Sequence, residues 1–246
     1  MDYQDVLALV GASSAHPGGM KSTLYWMDQL PLEESIKVLE VGCGTGRTLT
    51  HLCKVYGCQG TGVDVRSSMI AKAKQRSDAQ GVQIEWRVAD ATALPFENGA
   101  FDIIVTESVN VFIRDISTAL GEYLRVLKPG GIYLDVEMTL MAPVDEKWKE
   151  GVKKVYGAEF VPGMKGWKQK FRDSGFKTVR IIHSQPISPM DMMSAGAEVP
   201  DLLDLSTPGS FQDPSVLEVL QANSNWMDQH FRELGFAVIT AEKAPA

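Results

Sequence analysis

Three things are scarce in this chain, and each scarcity closes off a class of function. Only three of its 246 residues are cysteine, an odd number too small for a disulfide framework, which predicts a reducing, cytoplasmic setting. No apolar run approaches the ~18 residues that a membrane span requires. The first residues, Met1-Asp2-Tyr3-Gln4-Asp5, are acidic where a secretory leader would be basic. Basic side chains are also outnumbered, with 24 Lys and Arg against 31 Asp and Glu and a formal net charge of −7. With no local basic patch and no aromatic-rich basic stretch, neither nucleic acid nor an anionic membrane surface is an expected partner. What is present is ordinary. Hydrophobic residues make up 44% and charged residues 22%, with 22 Gly and 12 Pro, the proportions of a globular protein with room for one large α/β domain or two small ones.

The first 35 residues read as a helical preamble. Val6, Leu7, Leu9 and Val10 form an apolar cluster ending at Gly11, and a second helix is expected from Lys21 to Leu30. Between them, Ala15-His16-Pro17-Gly18-Gly19 cannot continue a helix and predicts a tight loop. From Ile36 onward, short apolar runs alternate with helical stretches. Strands are expected at 37–41, 59–63, 83–88, 101–106 and 132–136, and helices at 47–55, 67–80 and about 117–126. Near-continuous apolar strands such as Phe101-Asp102-Ile103-Ile104-Val105 imply burial on both faces. The expected fold class is α/β, a doubly wound, Rossmann-like, mostly parallel sheet of seven strands with helices on both faces. The last two strands follow the echoed segments Phe171-Arg172-Asp173-Ser174-Gly175-Phe176 and Phe231-Arg232-Glu233-Leu234-Gly235-Phe236. In each, the glycine is expected to end a helix in the left-handed conformation. The organisation is then a cap at 1–35 and one domain at 36–246, with an insertion or lid at about 184–215 that is rich in Pro and carries Met190, Met192 and Met193.

Chemistry concentrates in Val38-Leu39-Glu40-Val41-Gly42-Cys43-Gly44-Thr45-Gly46, a buried strand entering three alternating glycines and then a helix. Such a loop lets backbone N–H groups approach a ligand that side chains would hold off. Twenty residues past Gly44, the strand Gly60-Thr61-Gly62-Val63 ends at Asp64, where a carboxylate can accept from both hydroxyls of a ribose. A nicotinamide site prefers GxGxxG, whereas position 47 is Arg.

The segments VLEVGCGTG, GVDV, VADATALPFENGAFDIIV and LRVLKPGG, in this order, resemble a class I S-adenosylmethionine-dependent methyltransferase over roughly residues 36–136. The resemblance implies S-adenosyl-L-methionine as cofactor and a role for each matching residue. Glu40 helps to hold the methionine amino group, and Gly42, Cys43 and Gly44 line the methionine and ribose. Asp64 takes the ribose hydroxyls, with Val65 and Met69 against the adenine. Asp90 accepts the adenine amine, and the Ala91 N–H meets a ring nitrogen. Thr106, Glu107 and Ser108 lie where the methyl group projects. The AHPGG loop followed by Lys21 and Thr23 resembles the N-terminal segment of a subset of small-molecule methyltransferases, in which it folds back over the cofactor.

The expected function is methyl transfer to a small-molecule acceptor by in-line displacement, in a monomer or homodimer. Glu107 and His16 are the catalytic candidates, Glu137 is a third possible base, and Asn110 could face the same cleft. A cofactor-binding protein without catalysis stays open, as does an NAD-dependent oxidoreductase. His51, Cys53 and Cys58 lie within eight residues, but His51 and Cys53 would point to different helix faces and no fourth ligand is evident, so no metal is expected.

Overall fold

The computed structural model describes residues 1–187 and 200–246. Seven strands form one sheet: β1 Lys37–Val41, β2 Gln59–Asp64, β3 Glu85–Val88, β4 Phe101–Glu107, β5 Leu127–Leu140, β6 Val179–Pro186 and β7 Leu234–Glu242. Their spatial order is β3-β2-β1-β4-β5-β7-β6. All neighbours run parallel except β7, which is antiparallel to both β5 and β6. The mostly parallel α/β sheet flanked by helices is therefore as the sequence pattern requires. In β1 every residue after Lys37 is buried, as a strand covered on both sides must be.

Among the described residues the helices are α1 Tyr3–Val10, α2 Gly19–Met27, α3 Arg47–Tyr56, α4 Ser67–Gln80, α5 Ile116–Val126, α6 Glu146–Tyr156, α7 Met164–Asp173 and α8 Pro214–His230. Local chemistry sets their ends. Asp2 and Asp5 form a reciprocal capping box on α1, and Asp145 caps α6 by accepting from the Trp148 N–H. Asp213 caps α8, which has Pro214 in its first turn. No helix among the described residues is long and apolar enough to cross a membrane.

One sequence expectation needs correction. Gly175 does follow α7 with φ +105°, but its echo Gly235 lies inside β7. There a Cβ would come within 2.6 Å of Met141 Sδ and 2.7 Å of the Gln185 carbonyl, so this glycine serves close strand packing and ends no helix. Helix α6 was not foreseen at all. The expected methionine-rich surface at Met190, Met192 and Met193 lies outside the described residues.

The segment from Asp201 to Thr207 is strapped to α4 and α1. Arg76, buried on α4, pairs with Asp201 at 2.8 Å, Lys72 donates to the Leu205 carbonyl, and the Thr207 N–H donates to the Leu9 carbonyl at 2.7 Å. Arg66 at the start of α4 reaches Asp2 and Asp5 at 3.2 and 3.4 Å. Helix α1 is thereby held across the carboxyl end of β2.

Candidate active site

A cavity of about 700 Å³ opens at the carboxyl ends of the parallel strands. Chain order reverses there: β2 and β3 lie to one side of β1, while β4 and β5 lie to the other. Open α/β sheets place ligands at this switch point, because the loops leave the edge in opposite directions and part.

The glycine loop after β1 forms the floor. Gly42 has φ +69°, and a Cβ there would lie 2.4 Å from Val109 Cγ2, so the backbone approach of this loop to the turn after β4 depends on glycine. Gly44 has φ +52°, and a Cβ there would meet nothing within 4 Å. It looks into open space, a cradle that a ligand can fill. Its N–H donates to Asp64 Oδ2 at 3.0 Å, and the Arg66 N–H donates to Oδ1 at 2.9 Å. Beside Asp64 stand Val65, 60% exposed although apolar, and Met69, buried against Leu7 of α1. Asp90 accepts from both the N–H and the hydroxyl of Thr92, at 2.8 and 2.7 Å. These bonds hold its carboxyl below the usual range. Ala91 lines the wall next to it, and Tyr3, Gln4 and Leu7 of α1 close the same region.

Glu40 is buried and accepts the Leu49 N–H at 3.2 Å. Burial, followed by the neighbouring Glu107 carboxylate, pushes its carboxyl well above the usual range. Burial also raises Asp64, against the pull of the Arg66 and Gly44 N–H groups. Glu40, Asp64 and Glu107 all line one cavity, and three converging carboxylates suit a ligand that brings positive charge.

The N-terminal loop meets β4 at the centre of this cavity. Glu107 Oε1 accepts from Thr23 Oγ1 at 2.7 Å and from Trp26 Nε1 at 2.8 Å, and Oε2 accepts from Thr48 Oγ1 at 2.6 Å. His16 Nε2 lies 3.6 Å from Glu107 Oε2 and 3.3 Å from Thr23 Oγ1. Residues from α2, α3, β4 and the AHPGG loop thus converge on one carboxylate. Thr48 and Trp26 were not foreseen, because no pattern in the sequence separates them from ordinary helix residues.

Of the twelve site residues expected from the sequence, Thr106 stands apart. Its hydroxyl is buried and bonds Tyr133 Oη and Asp135 Oδ1, each at 2.7 Å, and it does not line the cavity. Alternation along β4 turns Thr106 away from the face that presents Glu107. Two further expectations also fail. Asn110 is fully buried, donating to Tyr133 Oη at 2.7 Å. Glu137 accepts the N–H groups of Val109, Asn110 and Val111 at 3.1, 2.8 and 3.3 Å. It braces the turn after β4 and has no face on the cavity, so it is no base.

Comparison with known proteins accords with this architecture. A family described as a methyltransferase domain matches residues 38–131. An uncharacterized protein of Haemophilus influenzae is 35% identical over 194 residues, 76% of this chain and 77% of that protein. The uncharacterized methyltransferase YodH of Bacillus subtilis is 29% identical over 241 residues, 98% of this chain and 99% of its own length. Among solved structures, a Haemonchus contortus phosphoethanolamine N-methyltransferase bound to phosphomonomethylethanolamine and S-adenosylhomocysteine superposes with a TM-score of 0.76 at 19% identity. That likeness spans 98% of this chain and 58% of the other, and it concerns the fold alone. The domain match runs from β1 into β5, across the glycine loop, Asp64, Asp90 and Glu107, and the chain accordingly belongs to the class I S-adenosylmethionine-dependent methyltransferases, with S-adenosylmethionine as its cofactor.

Proposed function

We propose that this enzyme methylates a small-molecule acceptor held between the AHPGG loop and the strand ends of β5, β7 and β6. The observation that supports this most is the continuity of the cavity, which joins the glycine loop and Asp64 to the His16 and Glu107 cluster without a break. When bound, the cofactor supplies an electrophilic methyl group on a sulfonium. The chain's own part is to align and to exclude water. Glu40 and the N–H groups of the glycine loop face the methionine end, Asp64 faces the ribose, and Val65, Met69, Asp90 and Ala91 face the adenine. Residues 1–35 act as a cap over the rest, 36–246, with the strap around Asp201–Thr207 tying the cap down. His16 and Glu107 form the transfer centre. The free thiols of Cys43, Cys53 and Cys58 accord with a cytoplasmic enzyme.

Calorimetry tests the reading directly: S-adenosylhomocysteine binds and NAD does not, and the reverse result sinks it. Replacing the central carboxylate, Glu107→Gln, is expected to lower methyl transfer at least a hundredfold while S-adenosylhomocysteine binds within a few-fold of wild type. Unimpaired transfer by that variant removes Glu107 from the centre.

Binding also has a predicted proton linkage. Glu40 and Asp64 hold their protons to a higher pH in the free protein than ordinary carboxyls do, and a cationic cofactor favours their ionised forms. Protons therefore leave on binding, and affinity for S-adenosylmethionine rises with pH from the ordinary carboxylate range through the raised one. Titrations in buffers of different ionisation enthalpy read this release, and proton uptake on binding contradicts it.

A further inference from the structure

We propose that the buried Arg76–Asp201 pair positions the glycine loop for the cofactor, so that seating of the segment 201–207 and binding of S-adenosylmethionine are coupled. Neither residue lines the cavity, and both act through Thr45. This rests on the methyltransferase reading of the cavity and adds two positioning residues to it.

The glycine loop cannot hold its own shape. Gly42, Gly44 and Gly46 have φ of +69°, +52° and +74°, and glycine gives up more conformational freedom on ordering than any other residue. Contacts from elsewhere must fix the loop. From β2, the Val63 carbonyl accepts the Cys43 N–H and Asp64 Oδ2 accepts the Gly44 N–H, each at 3.0 Å. The second hold comes from α4, which lies so close that a Cβ on Gly46 would be 2.8 Å from Ala73 Cβ. There Arg76 Nε donates to the Thr45 carbonyl at 2.8 Å, and Nη2 reaches Thr45 Oγ1 at 3.4 Å. Thr45 Oγ1 itself donates to the Ala12 carbonyl at 3.1 Å. Gly44 and Thr45 both line the cavity, so the guanidinium holds the peptide next to the open cradle at Gly44.

Asp201 keeps that guanidinium in place. The Arg76 side chain is 1% exposed, and a charge so deeply buried is costly unless it is paired. Nη1 donates to Asp201 Oδ1 at 2.9 Å and Nη2 lies 2.8 Å from Oδ2, the two-pronged geometry by which a guanidinium meets a carboxylate. One guanidinium therefore joins the loop to a residue 125 positions further along the chain. Asp201 lies outside the matched domain at 38–131.

The segment that carries Asp201 also rests on the end of α1. The Thr207 N–H donates to the Leu9 carbonyl, and a Cβ on Gly11 would come within 2.5 Å of the Leu205 carbonyl carbon. Removing the carboxylate leaves the buried charge uncompensated, so the guanidinium turns toward water and releases Thr45. Such a linkage is reciprocal: whatever affinity the segment lends the cofactor, the cofactor returns to the seating of the segment.

The test combines calorimetry with amide hydrogen exchange, with S-adenosylhomocysteine as the probe. Arg76→Met and Asp201→Leu are each expected to weaken binding at least tenfold. The double variant is expected to stay within threefold of Arg76→Met, because the two side chains act as one unit. Losses that multiply in the double variant, or single variants within threefold of wild type, overturn the proposal. Asp201→Asn keeps the shape, removes the charge and serves where the apolar variants do not fold. In the free protein it is expected to speed exchange of the Gly46 and Thr207 N–H groups at least tenfold and to leave the Asn110 N–H, held by Glu137, unchanged. An unaltered Gly46, or an equal change at all three, overturns the clamp. In the wild type, S-adenosylhomocysteine slows exchange at Thr207, and no slowing there overturns the coupling. Failure of the wild type to bind S-adenosylhomocysteine sinks the methyltransferase reading instead, and exchange in the free protein then decides the clamp alone.

Discussion

Asp64→Ala lowers the affinity for S-adenosylhomocysteine by about two orders of magnitude. The carboxylate stands at the end of β2 with one oxygen toward the Gly44 N–H and the other toward the Arg66 N–H. It therefore does two jobs: it fixes the glycine loop, and it offers its remaining lone pairs to the ribose hydroxyls. Hydrogen bonds to a charged acceptor are worth roughly 1.5–3 kcal/mol each, so losing two of them costs about 3 kcal/mol, the equivalent of a hundredfold in dissociation constant. Asp64→Asn keeps one carbonyl oxygen but offers an NH₂ where the other oxygen accepts, and it should fall between alanine and wild type. Calorimetric titration of the three proteins reads the series. Binding by Asp64→Ala within threefold of wild type would show that the ribose lies elsewhere.

Gly42→Ala is expected to be nearly as severe, by a different route. The added methyl would lie 2.4 Å from Val109 Cγ2, a separation that no pair of carbon atoms tolerates. The backbone there has φ +69°, which costs an L-residue about 1 kcal/mol or more. Overpacking adds about 1–3 kcal/mol, so the variant loses about 3 kcal/mol in chemical denaturation. Val109 yields little, because the turn that carries it is pinned by Glu137 through three backbone N–H groups. The glycine loop must then move, and cofactor affinity falls more than tenfold with it. Pairing Gly42→Ala with Val109→Ala should restore the clash component and leave the backbone component, a coupling that a double-mutant cycle isolates. Additive effects of the two substitutions would mean that the contact does not transmit strain.

The sequence made the first half of the sheet legible because its signals are local. Continuous apolar strands, glycines at the strand ends and Asp64 at a fixed distance from Gly44 all act within a few residues of themselves. The AHPGG loop was likewise marked as a turn by its own composition. What escaped depends on residues far apart in the chain. Nothing about Thr48 or Trp26 says that their donors converge on Glu107, 59 and 81 residues later. Thr106 and Glu107 are adjacent, and only the pairing of β4 decides which of them faces the cavity. Glu137 carries the same functional group as a base, yet three backbone donors use up one of its oxygens. Helix α6 was missed although Trp148, Val152 and Tyr156 form a buried stripe at fourfold spacing. Gly151 in its interior weakens the pattern, and its tolerance is explained only by Trp226, whose Nε1 would come within 2.6 Å of a Cβ there.

The position of β7 carries a consequence for biosynthesis. It follows every other strand in the chain, yet it lies between β5 and β6. Until residues 234–242 leave the ribosome, β5 has an open edge and β6 lacks the strand it pairs with, so the part of the cavity lined by Met138, Phe236 and Gln185 cannot assemble before they do. The nascent chain can form its glycine loop early, but the part of the pocket that needs β7 waits for this strand. Loop closure over such long separations slows that final insertion, and it leaves an exposed strand edge to be shielded in the meantime.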